Sequence, residues 1–208
     1  KVLGNTASAI LQLRDHLNRD MIERAIALID RAQRIEVHAV GHYGVVAHDA
    51  QYKFLRLGIA CNAYTEPRLQ RLAAGALKQD DLVIVISQSG HVAELDAVAA
   101  TAKERGAAVI AITASQSPLA RKADVALIVD HTEDVATQMP MVSRILHLLV
   151  IDMLAVGVAM HRSALPAPMM AALDAAGGSA SGKTKQSPRP MLGVSAATPL
   201  SRLTSHSA

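Results

Sequence analysis

The chain is poor in the residues that reinforce small or secreted folds. Its 208 residues include one cysteine, no tryptophan, one phenylalanine and three tyrosines. A single cysteine excludes an intrachain disulfide framework and fits a reducing compartment. With few aromatics, the apolar half of the chain rests on Ala, Val, Leu and Ile. Such a composition excludes a wholly disordered chain and suits helices on a parallel sheet, whose strands read as short aliphatic runs. The N-terminus lacks the basic start and apolar run of a signal peptide. Asp152 interrupts the best apolar window, 145–160, so no membrane span is expected. Together these absences predict a cytoplasmic protein with no membrane partner.

A basic face is also missing. The formal charge is +3, but Lys183, Lys185, Arg189 and Arg202 against Asp174 alone place that excess after residue 162. Residues 1–162 are left neutral, with no basic cluster of the kind a nucleic-acid-binding domain carries. Five of the eight prolines fall in 163–208, a stretch dominated by Ser, Gly, Pro and Ala. This reads as a mostly disordered tail, with a short helix near 167–175.

What is present is an alternating pattern. Residues 1–34 read as two helices, 5–17 and 19–32, with Asn18 as N-cap of the second. Strands follow at 35–40, 59–64, 82–86, 108–113 and 125–129. Helices at 44–57, 67–77 and 91–105 and a helical turn at 118–122 lie between them. Asp49 and Lys53 are spaced to pair across a turn of the first of these helices. A final helix, 138–161, is apolar nearly all round, as expected of one buried on several sides, in part by a second subunit. The predicted fold is α/β: a three-layer α-β-α sandwich with a five-stranded parallel sheet, preceded by N-terminal helices. The predicted organisation is 1–34 as N-terminal linker or dimer helices, 35–162 as the globular domain and 163–208 as tail.

In open parallel sheets, ligands bind beyond the carboxyl ends of the strands. The loop there with the most pointed chemistry is Ser87-Gln88-Ser89-Gly90, between the cleanest strand and a helix. Unpaired first-turn amides and the helix dipole favour an anion at such a place. Ser87 and Ser89 add hydroxyl donors, and Gly90 lets the backbone approach closely. The plain alternative is an ordinary helix start capped by Ser89. His91 follows the loop. Ser115 and Ser117 enrich the next loop in hydroxyls, with a Ser-Pro turn as the plain alternative for Ser117. Gly41-His42-Tyr43-Gly44 forms the first loop, where His42 or Tyr43 can touch a ligand. His38 is expected to be packed or hydrogen-bonded on its strand, and Cys61 to be a small core residue. The nine histidines and single cysteine give no metal constellation, and no nucleophile elbow is present. Glu94, Glu133 and Asp134 are the candidate acid–base carboxylates, each also readable as a helix-start or solvated loop acid.

These residues resemble the SIS (sugar isomerase) domain over about 20–160. The resemblance is carried by Gly41–Gly44, Ser87–Gly90 with Glu94, Ser117-Pro118-Leu119-Ala120, Ala123-Asp124 and the long last helix. Within that superfamily, the segments Val46–Phe54, Arg56-Leu57-Gly58 and Ser143–Leu146 resemble the effector domain of RpiR-type transcriptional regulators, especially the HexR-like branch. The resemblance implies a sensor of a phosphorylated sugar or sugar acid such as 2-keto-3-deoxy-6-phosphogluconate, working as a homodimer or tetramer without a cofactor. It implies contact with DNA only through an N-terminal helix-turn-helix domain that this chain does not contain. The ligand-binding set it implies is Gly41, His42, Tyr43, Ser87, Gln88, Ser89, Gly90, His91 and Ser115. The family's first loop presents a serine where this chain has Tyr43. The alternative is an aldose–ketose phosphate isomerase using Glu133 and His42. There the family's glutamate base falls on Thr132, one residue before Glu133, which weighs against the enzyme. A third reading is a plain dimerisation module.

Overall fold

The structure, a computed structural model, describes residues 2–131 and 142–163. The predicted tail from residue 164 on, Glu133, Asp134 and the predicted start of the last helix at 138–141 lie outside the described residues.

Two helices, α1 (Val2–His16) and α2 (Arg19–Arg31), open the chain. Asn18 caps α2 as expected, its side chain accepting from the Met21 N–H. Five strands follow: β1 (Arg34–Ala39), β2 (Cys61–Tyr64), β3 (Asp81–Ser87), β4 (Ala108–Thr113) and β5 (Val125–Ile128). Helices α3 (Gly44–Arg56), α4 (Pro67–Gly75), α5 (Ala93–Glu104) and α6 (Pro118–Lys122) connect them, and α7 (Val142–Ser163) closes the fold. All pairings are parallel and the strand order is β2-β1-β3-β4-β5. The predicted architecture is therefore observed. The order reverses between β1 and β3, which makes the crevice beyond their carboxyl ends the topological switch point.

Strand alternation divides the core into two layers. Ile35, Val37, Leu82, Ile84, Ile86, Ile110 and Ile112 face α1, α2, α3 and α7. Val83, Val85, Val109 and Ala111 face α4, α5 and Leu119 of α6. Every residue of β3 is buried, as its unbroken aliphatic run requires. Cys61 is buried, and desolvation pushes its thiol up to about 12, so it is an inert packing group. The Asp49–Lys53 pair forms, and Asp152 of α7 joins it from across the helix interface.

Helix α7 corrects the membrane expectation. By length and composition Val142–Ser163 does reach what a bilayer span needs, Asp152 notwithstanding, but 44% of its most apolar window is buried inside the fold. Its inner face packs into the same core as α1, α2 and α3. At Gly157 a Cβ would lie 2.2 Å from Cδ1 of Ile26, so a larger residue there would have to displace the Ile26 side chain where α7 crosses α2. The last turn is clamped by Arg162, whose guanidinium donates to Asp30 Oδ1 and to the Leu57 carbonyl, both at 2.6 Å.

Candidate functional site at the strand switch point

Ala39 is in register with Ile86, and Ser87 with Thr113. The exits of β1, β3 and β4 therefore stand side by side, each delivering one of the loops singled out in the sequence.

The β3 exit departs from a simple serine-capped helix. Ser89 is not the cap of α5: the helix starts at Ala93, its cap residue is Val92, and no side chain caps it. The loop hydroxyls are folded back onto the loop itself. Ser87, 4% exposed, accepts the Gly90 N–H at 3.1 Å, and exposed Ser89 accepts the His91 N–H at 3.3 Å. Each hydroxyl keeps its own O–H for donation. The Gly90 and His91 amides are thus occupied, whereas among the described residues no side chain caps the first-turn N–H groups of α5. The anion-binding capacity expected of this loop lies in the first turn of the helix, bordered by two hydroxyls. Glu94 is exposed beside it, and Asp96 is held by Lys122 at 2.6 Å.

Gly90 is fixed for two reasons. Its φ is +63°, and a Cβ there would lie 2.4 Å from both Cβ and Oγ of Ser117 and 2.6 Å from Oγ1 of Thr113. Thr113 and Ser117 are buried and share a hydrogen bond of 3.3 Å, while Ser117 caps α6 by accepting the Ala120 N–H at 3.0 Å. Ser117 thus serves as the N-cap of α6 rather than as a plain turn residue. Ser115 is exposed on the same loop, its N–H donating to Asp130 Oδ1 at 2.7 Å. Gln88 reaches the other way, its amide donating to the His131 carbonyl at 2.7 Å and the Val129 carbonyl at 3.4 Å. It braces the loop against the β5 exit.

The β1 exit is a 3-10 turn, Gly41–Tyr43. His42 is exposed, whereas Tyr43 is buried and its hydroxyl is hydrogen-bonded to Ser143 Oγ of α7 at 2.9 Å. The rings of His42 and Tyr43 lie 4.0 Å apart, and those of Tyr43 and His147 4.9 Å apart. Ser143 and His147 are the site-adjacent residues that the sequence reading did not select. They are the only polar residues among the buried positions of α7, an i,i+4 signal on an otherwise apolar stripe. Desolvation pushes His147 down to about 4, with His42 acting in the same direction, and the hydrogen bond to the Ser143 carbonyl only partly opposes them.

His38 and His42 stand four apart but do not converge. His38 is wholly buried on β1, hydrogen-bonded to Glu36 at 3.1 Å, and His42 is exposed. Among the described residues no group of His, Cys, Asp and Glu is placed to hold a metal ion. A cavity of about 800 Å³ lies at the opposite, amino-terminal edge of the sheet, between α2 and the starts of β3 to β5. Of its lining charges, Lys103 pairs with Asp124, and Asp81 pairs with Arg34 from outside the lining. It lacks the hydroxyls and open amides of the switch point, which is therefore the candidate site.

An open parallel sheet with hydroxyl-rich exits and an uncapped helix start defines a class of small-ligand-binding α/β domains. The SIS domain family profile matches residues 28–157, and the chain belongs to that family. It is 51% identical over 163 residues to the bifunctional protein glk of Paraburkholderia xenovorans, covering 78% of this chain and 26% of that protein. It is 39% identical over 162 residues to the HTH-type transcriptional regulator HexR of Pseudomonas aeruginosa, covering 78% of this chain and 57% of that one. The chain thus spans about a quarter of the first relative's length and little more than half of the second's. Among solved structures, the sugar isomerase domain of an RpiR transcription factor from Sphaerobacter thermophilus superposes with a TM-score of 0.72 at 26% identity, covering 83% of this chain and 93% of that chain. The Vibrio vulnificus NanR protein, solved in complex with ManNAc-6P, shares the fold, with a TM-score of 0.73 at 20% identity over 84% and 67% of the two chains.

Proposed function

We propose that this chain is the ligand-sensing module of a sugar-phosphate-responsive regulator of the HexR type. It binds a phosphorylated sugar or sugar acid, such as 2-keto-3-deoxy-6-phosphogluconate, at the carboxyl ends of β1, β3 and β4. The phosphate rests on the open amides at the start of α5, with Ser87, Ser89 and the Gly90 turn around it. The sugar extends toward Gly41, His42 and Tyr43 on one side and Gln88, His91 and Ser115 on the other. The module works as a homodimer or tetramer and passes its state to DNA through another domain. A sensor needs only a ligand with different affinities for two states of the assembly.

The observation that carries this reading is the uncapped start of α5 beside two O–H donors at the switch point. The 39% identity to HexR supplies the regulatory context. Calorimetry with 2-keto-3-deoxy-6-phosphogluconate, ManNAc-6P, a pentose phosphate and inorganic phosphate tests it. Saturable binding of at least one sugar phosphate, weakened by Ser89→Ala, is the expected result. No saturable binding of any of them overturns it. Deuterium wash-in at the carbon beside a bound sugar's carbonyl, well above background, would replace the sensor with the isomerase.

The higher identity to the bifunctional relatives supports a second reading, in which the same module serves inside a longer bifunctional polypeptide. The two readings share the site and differ in the rest of the chain. Ligand-dependent DNA binding by the full-length protein distinguishes them.

A further inference from the structure

The structure assigns to His147 the role of a specificity-determining hydrogen-bond acceptor for a hydroxyl of the bound sugar, an inference that rests on the sugar-phosphate reading above.

The protonation pattern of this imidazole is fixed by its surroundings. His147 is fully buried, with Nδ1 2.6 Å from the Ser143 carbonyl oxygen. A carbonyl can only accept, so Nδ1 carries the proton. Burial keeps the ring neutral at physiological pH, so Nε2 presents a lone pair. That atom is buried and has no hydrogen-bond partner. A buried acceptor left unsatisfied is costly, and native folds rarely retain one without a purpose.

Its place in the fold suggests the purpose. The ring packs against Tyr43 of the turn that leaves β1, at the switch point, one side chain in from exposed His42. An anion is the wrong partner for a bare lone pair, and phosphate has its own donors at the start of α5. The complementary group is a neutral donor, and sugars supply one at nearly every carbon. The Tyr43 ring lies against His147, so the hydroxyl has to reach Nε2 past that ring. Selectivity follows from the geometry: a ligand with a hydroxyl at this point satisfies Nε2, and its deoxy counterpart leaves it orphaned inside a closed site.

His147→Leu removes the acceptor while keeping an apolar side chain of similar volume. Loss of an orphaned polar atom leaves the melting temperature of the full 208-residue chain unchanged or raised. Affinity for the sugar phosphate that the wild type binds falls about tenfold or more, while inorganic phosphate binds as before. His147→Gln, which can again present an acceptor, recovers part of the loss and serves as the second variant if the leucine form does not fold. Unchanged sugar-phosphate affinity in both variants overturns the assignment and leaves the sensor intact. An equal loss for inorganic phosphate overturns it too, since the role would then be structural. Failure of the wild type to bind any sugar phosphate removes the reading beneath it.

Discussion

Gly90→Ala should damage this protein more than an alanine at another left-handed glycine, and the difference measures how tightly the β3 exit is built. Gly58, at the end of α3, has φ +74° and open space where a Cβ would sit. Alanine there bears only the left-handed backbone penalty, about 1–2 kcal/mol. Gly90 has nearly the same φ, +63°, but its Cβ would fall 2.4 Å from Ser117 Cβ and Oγ and 2.6 Å from Thr113 Oγ1. Ser117 cannot retreat freely, because its hydroxyl caps α6 and loss of such a cap costs about 1 kcal/mol. Forcing an extra carbon into a packed site adds about 1–3 kcal/mol. Gly90→Ala should therefore lose roughly 2–3 kcal/mol more than Gly58→Ala, seen as a melting point lower by about 4–12 °C for a chain of this size. Paired denaturant and thermal melts of the two variants provide the measurement. Equal destabilisation within about 0.5 kcal/mol would refute the close approach of Gly90 to Ser117 and Thr113, and with it the stated geometry of the loop.

Other outcomes follow from buried polar groups. His147 titrates near 4 in the fold against an ordinary 6.5, so between those values the unfolded chain holds the extra proton. Stability therefore falls as pH drops through 6.5 toward 4, by about 2 kcal/mol at pH 5 from this group. It is indifferent to His147 above about pH 7.5. Urea melts across that range should show the slope in the wild type and a shallower one in His147→Leu; identical slopes would contradict the buried neutral ring. On β1, Glu36 and His38 are both fully buried and hydrogen-bonded to each other. Glu36→Leu should cost about 2 kcal/mol by orphaning His38, and the double variant Glu36→Leu/His38→Val less than the sum of the two singles. Additive losses in equilibrium unfolding would mean that the pair is not coupled.

The fold was legible because its signals are periodic and redundant. Leu82–Ile86 could hardly be anything but a central strand, and β3 is buried at every position. The alternation of helix and strand then left little choice of topology. Site loops were legible by position for the same reason, since strand order and register alone bring the exits of β1, β3 and β4 together. What did not show in the sequence was the occupancy of each donor. A serine two residues past a strand reads alike whether it caps a helix, binds a ligand or closes its own loop. The structure shows the last: Ser87 and Ser89 take the Gly90 and His91 amides, and α5 begins uncapped at Ala93. Tyr43 was likewise visible as a loop residue but not as one whose hydroxyl is already bonded to Ser143, 100 positions away.

Long-range partners of that kind separate a family's shared scaffold from the selectivity of one member. The amides of α5 can receive any phosphate, because a helix start reads charge and not identity. Discrimination among sugars has to come from groups that a wrong ligand would leave unsatisfied, since a missing partner in a closed site costs more than an extra contact gains. On the reading proposed above, the group in this chain is His147, where α7 meets the β1 exit and packs beside Tyr43 from across a hundred residues of sequence. If this division of labour is right, substitutions on the first turn of α5 change affinity for all phosphorylated ligands alike. Substitutions on the inner face of α7 instead reorder the preferences among them. A substitution at Ser143 or His147 that lowered inorganic phosphate and sugar-phosphate affinity in step would show that anchoring and selection are not separate here.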